Sequence, residues 1–293
     1  MSIFSKFYTK RNIILHHGQS LRILCSLSLN TMLRLRLQLY KKLHGIRQPI
    51  VHYYALCWNE EKMLPFMFQH YEPFVERFII YDNYSDDQSE SIIHAHPNTE
   101  VKKYSMGGQI NDFVYLDIKN NCWKKSRGKA DFVIVCDTDE FLYHKKDILE
   151  VLQGLKKNGY TMVKPSGYNM YSEDYPSYNP QCPLTEQVKR GIRIPFFDKC
   201  ILFDPHAVVE VNYLPGAHEC SPWGKIKMTS DSGFMLLHYK YLSVEWLIER
   251  YRQYAQRLSK ENIDHKLGEE YAKEEDAFIE EFGKNNHEAV TVI

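Results

Sequence analysis

The sequence has no run of about 18 consecutive apolar residues, which leaves no convincing transmembrane helix. No C-x-x-C pair occurs among its 7 cysteines. A scattered, odd-numbered set lying largely in apolar runs excludes a disulfide framework and points to a reducing compartment. No clean cleavage site follows the Leu-rich N-terminal stretch, so no secretory signal is read there. There is no internal repeat and no low-complexity tract. Residues 1–48 lack Asp and Glu altogether while carrying nine Lys or Arg, and the first acid is Glu60. The rest holds 28 basic against 37 acidic residues, so a basic arm precedes an acidic body of a chain with zero net charge. An acidic body argues against nucleic acid as partner, and a basic arm suits an anionic surface.

What is present is an α/β pattern. The chain has 293 residues, with 44% hydrophobic and 14% aromatic residues including 21 Tyr. That is enough for one large core. Residues 21–43 mix Leu with Arg and Lys and read as an amphipathic helix. Beyond Pro49, strand-length apolar runs at 50–58, 77–83, 100–104 and 131–141 alternate with helical spacing at 59–74, 109–127 and 146–159. Asn59 is placed to cap the first of these helices, and Gly159 to stop the last. Alternation of this kind predicts a mostly parallel sheet covered by helices. Residues 171–197, rich in Tyr, Pro and Asn, read as a loop over a site. Residues 198–238 return to short strands, and the chain is helical and charged from Ser243. The expected divisions are an arm (1–48), a catalytic domain (49–242) and a helical extension (243–293).

The residues richest in chemistry are Asp137, Thr138, Asp139 and Glu140, which follow the apolar run Phe132–Cys136. In open α/β sheets ligands bind beyond the carboxyl ends of strands. Acids crowded there repel one another unless a hard cation relieves the repulsion. Mg²⁺ or Mn²⁺ takes one or two carboxylates plus substrate phosphate oxygens. A bare D-x-D also makes an ordinary turn with its side chains capping the next helix. A phosphatase that carries D-x-D at a strand end would need Thr or Val where Phe141 stands.

These motifs, in their order, resemble the GT-A glycosyltransferases, in particular the family 2-like and family 92-like group, over about residues 50–245. The stretch ALCWNEEKMLPFMFQHYEPFVERFIIYDNYSDD resembles that group's nucleotide-binding opening, with Asp82, Asn83, Ser85 and Asp87 as its signature and Asp86 alongside. CDTDEFL resembles its D-x-D-E-F form, GQINDFVYLDIKNNCW the segment before it, and LLHYKYLS its late histidine. The resemblance implies a GT-A fold and transfer of a sugar from a nucleotide-sugar, a UDP-sugar first, to a glycan or lipid-linked acceptor. Under it, Leu56 to Asn59 line the nucleoside pocket and Asp82, with Asn83 beside it, meets a uracil-type base. Glu60 is either a nucleotide contact or a first-turn helix acid. Asp137 stands near the ribose and, through water, the metal. Asp139 and His238 ligate that metal, which imidazole biases toward Mn²⁺ over Mg²⁺. Lys199 and Lys240 are candidate diphosphate contacts.

An inverting transfer needs a carboxylate base for the acceptor hydroxyl. Glu219 is the first candidate, and Asp174 with its neighbour Glu173 the second. His218 either orients the acceptor or packs under Pro215 and Trp223, and Gly167 would suit close backbone approach to the donor sugar. The expected location is the cytoplasm, with the basic arm as a peripheral contact at the inner membrane face. Two other readings compete. A nucleotidyltransferase would carry a Gly-rich basic loop where this chain has WNEEK. A non-catalytic GT-A relative acting as a binding partner is weakened by the intact Asp137, Asp139 and His238.

Overall fold

The computed structural model describes residues 3–293, with side chains from residue 23 onward. The basic side chains expected of the arm at Lys6, Lys10, Arg11 and Arg22 lie outside the described residues. The chain runs through α1 (Ile3–Leu43), β1 (Val51–Cys57), α2 (Leu64–Tyr71), β2 (Arg77–Asp82), α3 (Ser89–Ala95), β3 (Thr99–Lys103), α4 (Asp112–Asn121), β4 (Phe132–Val135), β5 (Glu140–Tyr143) and α5 (Ile148–Lys157). It continues through β6 (Met162–Val163), β7 (Ser166–Tyr171), α6 (Leu184–Gln187), β8 (Arg190–Arg193), β9 (Leu202–Phe203), β10 (Val208–Glu210), β11 (Trp223–Gly224), β12 (Met228–Thr229) and β13 (Met235–Tyr241). Helices α7 (Val244–Arg257), α8 (Lys260–Asp264) and α9 (Glu275–Glu288) and strand β14 (Val290–Thr291) complete it.

The expected α/β architecture is present. A seven-stranded sheet has the order β12-β6-β9-β4-β1-β2-β3. The pairs β1–β2, β2–β3, β1–β4 and β6–β12 are parallel, and β9 is antiparallel to β4 and β6. Side chains on a strand alternate between faces, so a sheet covered on both sides needs apolar residues at consecutive positions. Tyr53, Phe78, Ile80, Phe132 and Ile134 point into one core with Leu64, Met67 and Phe68 of α2 and Leu152 of α5. Their neighbours Tyr54, Ile79, Val133 and Val135 point into a second core with Trp123 and Phe203.

The run 131–141, read as one strand, is two. Cys136 N still donates to Tyr54 O, which continues β4 along the main sheet, and a turn from Glu140 N to Asp137 O then redirects the chain. β5 enters a second sheet of order β14-β8-β7-β13-β5, where Glu140 faces His238 in register. The D-x-D segment is therefore the hinge between two sheets. Asn59 does not cap α2, whose N-cap is Met63. It adopts φ 53 in a tight turn, and its amide exchanges hydrogen bonds with Asp86 instead.

Residues 243–293 begin with a capped helix, Ser243 accepting from Trp246 N. They are not wholly helical: β14 closes the second sheet against β8. Tyr251, Phe278 and Phe282 pack with Tyr171 into a third core. Helix α1 meets the body through Leu37 against Ile50 and Ala130, and through ion pairs Arg34–Asp204 and Lys41–Asp131. Among the described residues no helix is long and apolar enough to cross a membrane. All seven cysteines are free thiols.

Candidate active site

Beyond the carboxyl ends of β1 and β4 opens a cleft of about 640 Å³, lined by one face each of α4 and α7 and by the 215–218 turn. Parallel strands that end together deliver their following residues to one place. β1 supplies Trp58 and Glu60, and β4 supplies Asp137 and Asp139. From the second sheet, β13 adds His238 and Lys240.

Asp139 Oδ2 lies 3.2 Å from His238 Nε2. The backbone fixes this approach, since Tyr239 N donates to Asp139 O at 2.8 Å. His238 Nδ1 is 3.3 Å from Asn169 Oδ1, an acceptor, so the proton belongs on Nδ1. The Nε2 lone pair is then turned at a carboxylate, an arrangement that calls for a cation or an added proton between them. Two ligands at right angles on an ion with bonds of about 2.1 Å stand about 3.0 Å apart, so the spacing fits a shared divalent ion. Burial opposes ionisation of Asp139, but with the added proton on Nε2 His238, helped by Lys240, holds its carboxyl below the usual value.

Asp137 is engaged differently. Lys119 Nζ of α4 reaches its Oδ1 at 2.7 Å. No group of three or more His, Cys, Asp or Glu among the described residues is arranged to hold an ion. Asp139 and His238 would give an ion two protein ligands, a number that leaves room for phosphate oxygens to complete the shell. Glu140 is buried beneath, pairing with Lys199 through Oε1 and accepting from Asp137 N through Oε2. Burial would raise its pKa, yet Lys199, with help from His238 and Lys119, holds it below the ordinary glutamate value. Lys199 lines the cleft floor and is tied to Glu140.

At the other end, Arg250 of α7 pairs with Glu60 and donates to Asn59 O at 2.8 Å. Burial raises the Glu60 carboxyl to about 7, Arg250 opposing and Asp139 and Asp137 adding to the rise. Arg257 stacks on Trp58 at 3.2 Å from the ring centroid, and its Nη1 is a buried donor without a partner. Tyr104, Tyr115 and Tyr254 complete an aromatic wall. Arg250 and Arg257 stand in no motif, and Lys119 lies within GQINDFVYLDIKNNCW without being singled out there. Helix packing delivers them, and the only sequence signal was a positive charge on an otherwise apolar helical face.

Several expected contacts are not in the cleft. Asp82 is fully buried, and Ser85 and Lys103 saturate its oxygens. Asn83 is buried, and with its amide turned so that the oxygen faces Arg257 it accepts from Nη2 at 3.1 Å. Asn59 presents its backbone to Arg250 rather than its side chain to a ligand. Both base candidates lie outside the cleft. Glu219 is exposed outside the cleft, on a turn closed by Leu214 N to its own carbonyl. Asp174 and Glu173 are exposed on the 172–175 turn, also outside it. Of the 171–197 loop only Phe196 and Phe197 reach the cleft. His218 does line it, stacked on Phe196 at 4.0 Å, and burial pushes its pKa down to about 4. Gly167 makes room for protein rather than sugar: a Cβ there would collide with the Phe197 carbonyl.

No protein-family model matches the sequence, and no curated protein matches it. Solved structures with some likeness include a mycobacterial protein, at 15% identity and TM-score 0.27, with 41% of each chain covered. Another is glucosyl-3-phosphoglycerate synthase from Mycobacterium tuberculosis in complex with phosphoglyceric acid. It has 12% identity and TM-score 0.34, with 58% of this chain and 62% of that one covered. A third is 4-diphosphocytidyl-2C-methyl-D-erythritol synthase, at 11% identity and TM-score 0.30, with 55% of this chain and 78% of that one covered. The chain thus spans less than two thirds of the length of the first two.

Proposed function

We propose that this chain is a divalent-metal-dependent glycosyltransferase that moves a sugar from a nucleotide-sugar, a UDP-sugar first, to a glycan or lipid-linked acceptor. The observation that carries the reading is the pair Asp139 and His238, 3.2 Å apart where the segment after β4 meets β13, inside the cleft. Asp139 and His238 would hold the ion, Mn²⁺ in preference to Mg²⁺, and when bound it supplies Lewis-acid stabilisation of a departing diphosphate. The protein's own part is binding and orientation. Trp58 with Arg257 offers a flat, cationic face to a nucleobase, and the unpartnered Arg257 Nη1 is a free donor there. Lys240 and Arg250 supply positive charge toward phosphate oxygens. Glu140 holds the Asp137 backbone from below. With Glu219 and Asp174 outside the cleft, Glu60 is the cleft carboxyl whose pKa near 7 suits proton exchange with an acceptor hydroxyl.

The test is a screen of nucleotide-sugars that detects released nucleoside diphosphate with Mn²⁺ present. The reading requires release from at least one donor and its loss in Asp139→Ala. Pyrophosphate released from a nucleoside triphosphate and a sugar phosphate would instead make the chain a nucleotidyltransferase.

A further inference from the structure

From residue 23 on, helix α1 turns one face to the body and leaves an apolar face pointing away from it. Leu37 and Asn30 are buried against the body. At about 100° per residue, Leu24, Met32, Leu35, Leu39 and Leu43 fall within an arc of about 100° on the opposite side. These five are 61%, 62%, 60%, 58% and 73% exposed; Met32, Leu35, Leu39 and Leu43 run on as one apolar strip, with Leu24 one turn beyond the exposed Ser28.

The charges beside the strip have one sign. Arg36 and Lys42 are exposed and flank it on either side, and Arg47 is exposed just past the helix. No acid precedes Glu60 in the chain. Long basic side chains beside an apolar strip can reach lipid phosphates while the strip enters the acyl boundary. A second copy of the chain would meet the strip with the same row of bases, so like charges would oppose that pairing. We propose that the outward face of α1 between Leu24 and Arg47 docks on an anionic lipid surface, lying along it rather than crossing it. Arg34–Asp204 and Lys41–Asp131 hold the helix to the body on its other face, so docking needs no change in the fold. Asp131 immediately precedes β4, whereas the cleft opens beyond that strand's far end, so a docked helix leaves the cleft free.

The test is co-sedimentation of the full chain with vesicles of phosphatidylcholine alone and of phosphatidylcholine mixed with phosphatidylserine. Binding is expected to the mixed vesicles, to fall as salt rises, and to weaken at least about tenfold in Met32→Glu/Leu39→Glu. Arg36→Ala/Lys42→Ala should weaken binding and flatten its salt dependence. All four positions are exposed, and matching thermal melts verify folding. Leu39→Trp adds a direct readout, a blue-shifted emission on mixing with the anionic vesicles. Unchanged binding by the double Glu variant overturns the proposal. So does a chain that ignores vesicles but sediments as a dimer which Met32→Glu/Leu39→Glu dissociates.

Discussion

Asp131 is the joint between helix α1 and the body, and replacing it with Asn should loosen that joint measurably. Its side chain is 2% exposed and pairs with both Lys41 and Lys156, while Oδ2 also accepts from Ile50 N at 2.9 Å. Asparagine keeps the size and can still accept from Ile50 N, so the variant removes the charge and the acceptor that faces Lys156. Breaking a buried ion pair from one side costs about 3–5 kcal/mol. Lys156 is 39% exposed and recovers water, and Lys41 already donates to Gln48 O, so the lower end applies, about 3 kcal/mol. For a chain of this size that lowers Tm by about 6–12 °C. Urea unfolding followed by circular dichroism gives the free energy, and hydrogen exchange over residues 33–43 reports the helix separately. The pH dependence carries a second signature. Burial opposes the Asp131 charge, but Lys156 and Lys41 hold its pKa below the ordinary aspartate value. In that range the unfolded chain binds more protons, so stability is in place above the unfolded pKa and is lost as pH falls through the folded one. Asp131→Asn should lack that acid-range loss. A variant within about 0.5 kcal/mol of the parent, with an unchanged acid profile, would refute the role given to Asp131.

Lys199→Met should cost about 3–5 kcal/mol in urea unfolding because it strands the buried Glu140 carboxylate, and Lys199→Met/Glu140→Leu should recover much of it. Equal losses in the single and double variants would mean that the pair is not what holds this floor. Glu60, with its pKa raised to about 7, binds a proton more readily folded than unfolded. Stability from this group therefore falls as pH rises from the ordinary glutamate range toward 7. UDP affinity should fall over the same rise as negative charge enters the cleft, and Glu60→Gln should flatten both trends in melts and calorimetry. Gly167→Ala should cost about 1–3 kcal/mol in urea unfolding by pushing on the Phe197 backbone, and donor turnover should fall with it.

The strands were legible because a sheet buried on both faces leaves an uninterrupted apolar run, as at Tyr53–Tyr54 and Phe132–Val135. The position of the D-x-D at a strand end was legible for the same reason. Its break into two sheets was not, because the turn at Asp137–Glu140 is forced by pairing with β13, about 100 residues downstream. Side-chain direction was the larger loss. Asp82 and Asn59 occupy the right loops but spend their polar atoms on Ser85, Lys103 and Asp86, choices that only the folded loop decides. Glu219 and Asp174 were placed by order along the chain, and order does not say which side of a turn faces a cleft. Arg250 and Arg257 escaped because α7 looks like any charged helix until it packs over Glu60 and Trp58. β14 was hidden in a polar tail: a two-residue strand carries too little pattern to separate from a helix end.

Titration calorimetry of UDP into the chain, with Mn²⁺ and then with EDTA, tests the central claim most directly. The account predicts binding with Mn²⁺, loss of that binding on chelation, and the same loss in Asp139→Asn with Mn²⁺ present. Affinity that neither EDTA nor Asp139→Asn alters would contradict it.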